Sequence, residues 1–144
     1  MRRAIFIFIA LITAAVASAQ TGLGIEQIFS ERYRDMKGAS ETILNHGNLN
    51  RVSLNLYHSI TFTDHPELGA VIERLVARDG KRAVSKEVRY KAGHLYYGFY
   101  RLPSFNGNNR YILYLNGTLS GDNKIILLYL EGKASENDVK KLLK

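Results

Sequence analysis

An α+β fold, with helices packed on an antiparallel sheet, is the class that the sequence predicts. Three observations predict it: apolar residues at helical spacing over 22–37 and 68–76, alternating apolar and polar residues over 52–62, and a β-rich second half with frequent turn signals. Strands that follow one another along the chain usually pair as neighbours. We therefore expect a four-strand meander in the C-terminal half, packed with an N-terminal helix, a middle helix and a short C-terminal helix.

The first 19 residues contain the three parts of an export signal. A positive start at Arg2-Arg3 precedes an almost entirely apolar run over 4–16, and Ala17-Ser18-Ala19 is a small-x-small cleavage site. The apolar run is shorter than the roughly 20 residues that a membrane-spanning helix needs. We predict a signal peptide over 1–19, cleaved after Ala19, and a single α+β domain over 20–144 with no membrane span.

Composition excludes several kinds of site. The chain has no Cys, which excludes disulfides, thiolate metal ligands, a Cys nucleophile and the lipidated N-terminal Cys of a lipoprotein. Hydrophobic residues make up 46% of the 144 residues, enough for a folded core. The net charge of +7 falls to +5 when Arg2 and Arg3 leave with the signal. This positive charge favours anionic envelope surfaces or glycans.

The first predicted helix covers 22–37, and Gly38 is its expected end. Its apolar stripe at helical spacing consists of Ile25, Ile28, Phe29, Tyr33 and Met36. A short strand is predicted over 41–44. His46-Gly47-Asn48 has the composition of a turn.

The most regular strand signal covers 52–62. Apolar and polar residues alternate at these positions, which predicts a strand with one buried face. His58 is the only residue on that face that is not apolar, and Ser59 points to the opposite face. A buried His must be hydrogen-bonded or carry its charge at a cost, so His58 is a candidate general base as well as a candidate core residue.

A second helix is predicted to begin after Asp64. Asp64 and Glu67 have the spacing of a capping box, and Pro66 suits the first turn. The apolar stripe consists of Leu68, Val71, Ile72, Leu75 and Val76. Asp79-Gly80 is the expected end. Cations gather there, where they interact favourably with the helix dipole: Arg74, Arg78, Lys81 and Arg82.

The second half of the chain predicts the meander. Strands over 86–91 and 94–102 flank the tight turn Ala92-Gly93, which predicts a hairpin. A loop from Pro103 to Asn109 then leads to a strand over 110–115.

The last predicted strand covers 124–130 and is apolar on both faces, which is typical of a central strand that is covered on both sides. Glu131-Gly132 is expected to end it. Ser135 and Asp138 have the spacing of a second capping box, which predicts a short C-terminal helix.

The four histidines do not have the spacing of a metal site; they are His46, His58, His65 and His94. We predict no metal and no cofactor. The sequence also lacks a G-x-S-x-G nucleophile elbow and a G-x-G-x-x-G phosphate loop. An alternative site remains, in which His58 or His94 is the base of a small exported hydrolase.

Aromatic residues are concentrated in the β-rich half: Tyr90, Tyr96, Tyr97, Phe99, Tyr100, Tyr111, Tyr114 and Tyr129. Basic residues lie between them: Arg89, Lys91, Arg101 and Arg110. Such a sheet face binds single-stranded nucleic acid in some proteins, but export disfavours that partner. The alternatives are a contact surface for a sugar or peptide, and plain packing of Tyr in a sheet. We predict a contact surface formed by Tyr96, Tyr100 and Tyr114 with Arg101.

Two segments carry a resemblance. The helix segment Ile25-Glu26-Gln27-Ile28-Phe29 follows a signal ending at Ala19-Gln20, and the tail reads Leu128-Tyr129-Leu130-Glu131-Gly132-Lys133 with Asp138-Val139-Lys140-Lys141-Leu142. In these segments, and over most of the mature chain in the order of its elements, the chain resembles a family of small exported Bacteroides-group proteins of unknown function. The resemblance implies a periplasmic or secreted location in a Gram-negative cell and brings no activity and no site residue.

The leading functional hypothesis is a non-enzymatic exported module that binds an envelope protein, a peptide or a glycan through the tyrosine surface. The first alternative is the small hydrolase with a His base. The second alternative is a structural or assembly role in the cell envelope, in which an edge of the sheet pairs with a strand of a partner.

Overall fold

The computed structural model describes residues 22–45 and 49–143, and over these the chain is an α+β fold. Its six strands are β1 (Ala39–Asn45), β2 (Leu54–Thr63), β3 (Ser85–Lys91), β4 (His94–Phe105), β5 (Asn108–Asn116) and β6 (Lys124–Gly132). They form one sheet in the order β1-β2-β6-β5-β4-β3, with all neighbours antiparallel. The last four strands pair in chain order, so the predicted meander is confirmed.

Three α-helices accompany the sheet in the described residues: α1 (Glu31–Arg34), α2 (Leu68–Asp79) and α3 (Glu136–Leu142). Short 3₁₀ turns lie between the larger elements, at Gly24–Phe29, Asn50–Val52, Gly80–Arg82 and Gly117–Ser120. Within the described ranges, no helix has both the length and the apolar character needed to cross a membrane.

The predicted continuous helix over 22–37 is wrong. The chain instead forms the 3₁₀ turn Gly24–Phe29, breaks at an extended Ser30, and then makes the single turn of α1. Asp79 at the end of α2 accepts the backbone N–H groups of Gly24 and Ile25 at 2.6 and 2.9 Å, which holds the start of the segment against α2. The helical path itself is interrupted at Ser30, whose backbone is extended.

The two N-terminal strands form where expected, with shifted ends. β1 extends beyond the predicted 41–44, and β2 starts at Leu54 because a 3₁₀ turn and a left-handed Ser53 occupy the preceding positions. A register irregularity between Leu54 and Leu56 turns Leu54 to the other face of the sheet. The turn predicted at 46–48 lies outside the described residues.

The middle helix ends as predicted, but it begins at Leu68 instead of directly after Asp64, and its cap differs. α2 places the predicted apolar stripe against the sheet and ends at Asp79, before Gly80. The capping box is wrong, because Glu67 binds the His65 ring through Nδ1 at 2.7 Å. Asp64 has a positive φ and donates its backbone N–H to Asn123, so its side chain does not cap the helix.

Two details of the C-terminal half correct the sequence expectation. The loop predicted from Pro103 to Asn109 is wrong, since β4 runs through Pro103 to Phe105 and the turn is the residue pair Asn106-Gly107, both with positive φ. A register irregularity between Leu102 and Phe105 accommodates the proline, which has no N–H to pair. β6 includes Glu131 and Gly132 and ends at Gly132, two residues after the predicted end at position 130.

Both faces of the sheet carry an apolar cluster, so β6 is covered on both sides as expected. The larger cluster lies under α2 and includes Ile60, Phe62, Ile72, Ile112, Leu127 and Tyr129. The smaller one lies on the face of α3 and includes Leu49, Leu54, Phe99, Tyr111, Leu130 and Val139. The predicted Ser135 cap of α3 is present, with the hydroxyl accepting the N–H of Asp138 at 3.2 Å.

Replacing Asp79 by Ala is expected to lower the free energy of unfolding by about 2 kcal/mol, because it leaves two buried backbone N–H groups without an acceptor. The exposed carboxylate of Asp35 provides the control, and Asp35→Ala should change stability by less than about 0.5 kcal/mol. Urea unfolding of both variants measures the difference. Equal stability of the two variants would contradict a role for Asp79 in holding the N-terminal segment.

Candidate functional site

The predicted tyrosine surface is not a surface in this fold. Tyr100 is 4% exposed and packs against Gly80, where an added Cβ would lie 2.4 Å from the ring. Tyr114 is fully buried, and its hydroxyl donates to the carbonyl of Gly69 at 3.3 Å. Burial raises the pKa of Tyr100 to about 12 and also raises the pKa of Tyr114. Both rings belong to the core under α2, because that helix covers this face of the sheet.

The other two members of the predicted surface are separated from these rings. Tyr96 is half-buried near the end of the sheet, with the ammonium of Lys91 4.3 Å from its ring centroid. Arg101 follows Tyr100 in β4 and so points to the opposite face, where its Nη2 donates to Asn109 Oδ1 at 3.5 Å. The structure therefore does not bring the four predicted residues together.

The two histidines of the alternative site also lie apart. His58 is on β2 and His94 on β4, with β6 and β5 between them, which is about 14 Å across the sheet at ordinary strand spacing. The strand register aligns His58 with Tyr100, so His94 also lies six residues further along β4. His94 is exposed and its Nδ1 lies 3.4 Å from Glu73, whose other oxygen accepts the N–H of Leu95. His94 and Glu73 thus tie the β3–β4 hairpin to α2.

His58 lies in a closed, paired environment. Its side chain is 3% exposed, Nε2 lies 2.8 Å from Glu41 Oε2, and the ring packs on Phe29 with centroids 4.0 Å apart. Arg34 lies 3.6 Å from the second oxygen of Glu41. Nδ1 is buried and has no hydrogen-bond partner among the described residues. A base needs access to its substrate, and this ring has none in the described fold.

Burial lowers the pKa of His58, although the hydrogen bond to Glu41 opposes the shift. The ring is therefore neutral at pH 7, with its proton on Nε2 facing Glu41 and a lone pair on the unpaired Nδ1. A protonated ring would bury a second N–H without an acceptor. His58 is therefore a core residue whose Nε2 has a hydrogen-bond partner and whose Nδ1 has none among the described residues.

Stability is expected to fall as the pH drops below about 6.5, the ordinary pKa of His in an unfolded chain. The folded pKa of His58 is lower, so the unfolded state binds more protons and unfolding is favoured by up to about 1.4 kcal/mol per pH unit in that window. Comparing urea unfolding of wild type and His58→Gln at pH 7.5 and 5.5 measures this contribution.

His65 is expected to change the pH dependence of stability in the opposite direction, so it provides the control. Hydrogen bonds to Glu67 and to the carbonyl of Lys37 raise the pKa of His65, so its contribution to stability is present at low pH and is lost as the pH rises through the folded pKa. The loss of stability below about pH 6.5 should be smaller in His58→Gln than in the wild type and larger in His65→Gln. An unchanged pH profile in His58→Gln would contradict a neutral, buried His58.

A groove of about 600 Å³ offers a different site. It is formed by four parts of the chain: the end of α2, the 3₁₀ turn after it, the outer part of the β4–β5 hairpin, and the segment before the first 3₁₀ turn. We refer to it as the basic groove, and its lining residues are Gly22, Leu23, Arg78, Asp79, Lys81, Arg82, Leu102, Pro103, Phe105 and Arg110.

The basic groove has cationic walls and partly apolar sides. Arg78, Lys81 and Arg82 are exposed, and within the described part of the chain none of them forms an ion pair. Asp79 also lines the groove, and its two oxygens accept N–H groups of the N-terminal segment, so one carboxylate faces an excess of cations. The apolar part is contributed by Leu23, Leu102, Pro103 and Phe105.

Arg110 brings a fourth cation from the opposite side of the groove. Its Nε donates to the carbonyl of Pro103 at 3.0 Å, and its guanidinium lies 5.4 Å from the ring centroid of Phe105. Arg110 is paired across the strands with Glu131, a buried residue that accepts the hydroxyl of Tyr129. The dipole of α2 favours cations near its C-terminus, which accounts for Arg78, Lys81 and Arg82. It does not account for Arg110, which lies on β5.

Comparison with known proteins places the chain in a family. The DUF6108 family, described as a family of unknown function, matches residues 12–143. The chain belongs to this family. Membership in DUF6108 confirms the resemblance to a family of unknown function and assigns no activity or site residue. No curated protein matches the chain, and no solved structure matches it.

Sequence reasoning missed the basic groove in this DUF6108 member. Arg78, Lys81 and Arg82 were interpreted only as cations that interact with the dipole of α2. Arg110 was interpreted only as one of the basic residues that lie between the aromatic residues of the sheet. The available signal was the density of cations on both sides of Asp79. Nothing in the sequence pattern indicated that the bulge at Pro103 would bring Arg110 to the same place.

Proposed function

We propose that this chain is an exported, non-enzymatic binding module that holds an acidic peptide segment of an envelope protein in the basic groove. One observation carries the proposal: Arg78, Lys81 and Arg82 line a groove without forming ion pairs in the described residues. Guanidinium groups bind carboxylates through paired, charge-assisted hydrogen bonds. An acidic ligand would balance the excess of cations over the single carboxylate of Asp79 in the groove.

The apolar lining favours a peptide over other anions. Pro103 and Phe105 are exposed and form a side of the groove that a purely carboxylated sugar would leave without an apolar partner. A peptide that alternates acidic and apolar side chains can place carboxylates on the arginines and its apolar groups on this side. Pockets of roughly 300–1,000 Å³ hold ligands of this size.

Export and origin are part of the proposal. The signal-like segment 1–19, the net positive charge and the resemblance at the start and tail of the chain support a Bacteroides-group protein that acts in the periplasm or outside the cell. Intact mass of the protein recovered after expression with its own N-terminus would test cleavage after Ala19. Retention of the first 19 residues would contradict export through a cleaved signal.

Fluorescence anisotropy with defined peptides tests the binding function. The probe is a fluorescein-labelled hexapeptide of alternating Asp and Leu; an Asn–Leu hexapeptide removes the charge, and hexa-aspartate removes the apolar groups. We expect the Asp–Leu peptide to bind tightest and its affinity to fall between about 50 and 500 mM salt, because exposed charges are screened. The bound peptide should be recovered with unchanged mass.

Three outcomes would overturn the proposal or a part of it. Equal binding of the Asn–Leu peptide would show that the groove does not select charge. Tighter binding of an oligogalacturonate than of the Asp–Leu peptide would identify a glycan as the better ligand. Cleavage of the probe would contradict the non-enzymatic part of the proposal.

A further inference from the structure

The outer edge of β3 is open. β3 is the last strand of the sheet and pairs with β4 alone, so one side of its backbone has no strand partner in the described residues. Val84 and Tyr90, at either end of this strand, are 66% and 63% exposed, the highest values among the exposed large hydrophobic residues of the described chain. An open edge with exposed apolar side chains favours pairing with another strand.

The charges on this edge are self-complementary. Two antiparallel copies of β3 centred on Val88 would place Glu87 of each copy opposite Arg89 of the other. Within one chain, the side chains of Glu87 and Arg89 are exposed on the α3 face of the sheet. Arg89 Nη2 lies 3.0 Å from Glu87 Oε1. The same register places Lys86 opposite Tyr90, where an ammonium can contact an aromatic ring. A two-fold axis produces each of these pairs twice.

Neighbouring registers lack this complementarity. Centring the two strands on Glu87 would place two glutamates opposite each other, and centring them on Arg89 would oppose two arginines. Lysines on an edge strand normally discourage pairing, because they oppose other cations. In the register centred on Val88, Lys91 faces Ser85, so neither lysine of β3 faces a like charge.

We propose that two copies of the chain associate through β3, antiparallel and centred on Val88, and so continue the sheet from one copy into the other. The proposal does not depend on the ligand of the basic groove, because neither Glu87 nor Arg89 lines that groove. The occupant of the edge is a second copy because the charge pattern of β3 complements itself.

A charge-swap experiment tests this interface. Sedimentation velocity of the wild type is expected to show a dimer that forms as the concentration rises to about 0.5 mM. Glu87→Arg and Arg89→Glu, each alone, should weaken the dimer by roughly tenfold or more, because like charges then face each other. An equimolar mixture of the two variants should restore it, since both cross-strand pairs between positions 87 and 89 are then of opposite charge.

The mixture separates an interface from an effect within one chain. Each single variant loses its internal Glu87–Arg89 contact, and mixing does not repair that contact, so only pairing between copies explains recovery. Native mass spectrometry should find the mixed dimer in excess over either homodimer. A monomeric wild type, single variants that dimerise normally, or a mixture that stays monomeric would each overturn the proposal.

Discussion

Replacing both Arg78 and Arg82 by Glu is expected to weaken binding of the Asp–Leu peptide by roughly 100-fold. Each arginine would lose a charge-assisted hydrogen bond worth about 1.5–3 kcal/mol and would gain a repulsive charge, and about 1.4 kcal/mol corresponds to tenfold in affinity. Both side chains are exposed and lack ion pairs in the described residues, so the fold should tolerate the change. Anisotropy titration gives the affinity, and thermal unfolding checks the fold.

Arg74 supplies the matched control for this double variant. It lies one turn before Arg78 on the same helix and does not line the basic groove. Arg74→Glu changes the net charge without changing the groove, so its affinity should stay within about threefold of wild type. A comparable loss in Arg74→Glu would mean that overall charge, and not the groove, attracts the peptide.

Gly132→Ala is expected to cost about 3 kcal/mol of stability or more. A Cβ at this position would lie 2.6 Å from the Cα of Leu54 and 2.6 Å from the carbonyl oxygen of Ser53. These are backbone atoms at the start of β2, and they cannot move away without disturbing the pairing of β2 with β6. Equilibrium unfolding in urea would measure the loss, and a low yield of folded protein would agree with it.

Gly121→Ala separates crowding from the general cost of replacing a glycine. Gly121 has a φ of +85°, but a Cβ added there would have no neighbouring atom within 4 Å. The substitution should therefore cost only about 1 kcal/mol, from the left-handed backbone. Equal stability of Gly132→Ala and Gly121→Ala would contradict the idea that close packing requires glycine at position 132.

Local patterns predicted most of the sheet and the middle helix. The alternation around His58 predicted β2, the Ala92-Gly93 turn predicted the β3–β4 hairpin, and the apolar stripe predicted the face of α2 that packs on the sheet. The Ser135 cap also formed as predicted. These features depend on residues that are close in sequence, which is why the pattern was sufficient.

Contacts between distant residues account for the errors in the fold. The N-terminal segment has a helical stripe, but its backbone is extended at Ser30, and its start is held by the carboxylate of Asp79, 55 positions away from Gly24. Pro103 is a typical loop residue, yet a bulge allows it to lie within β4. Neither effect leaves a signal in a local window of sequence.

The candidate site was less predictable than the fold. Tyrosines of a sheet look alike in sequence whether a helix covers them or not, so Tyr100 and Tyr114 could not be distinguished from surface residues. The basic groove is assembled from four separate parts of the chain, and only the three cations around Asp79 are close together in sequence. Its location therefore required the pairing of β4 with β5 and the position of α2.

An NMR titration with the Asp–Leu peptide tests the basic groove most directly. We expect the backbone amide signals of Leu23, Lys81, Arg82, Phe105 and Arg110 to shift together and to saturate with one dissociation constant, while signals of α3 stay unchanged. This result would place the acidic peptide in the groove. Shifts confined to other parts of the chain, or no shifts at saturating peptide, would contradict a binding function for it.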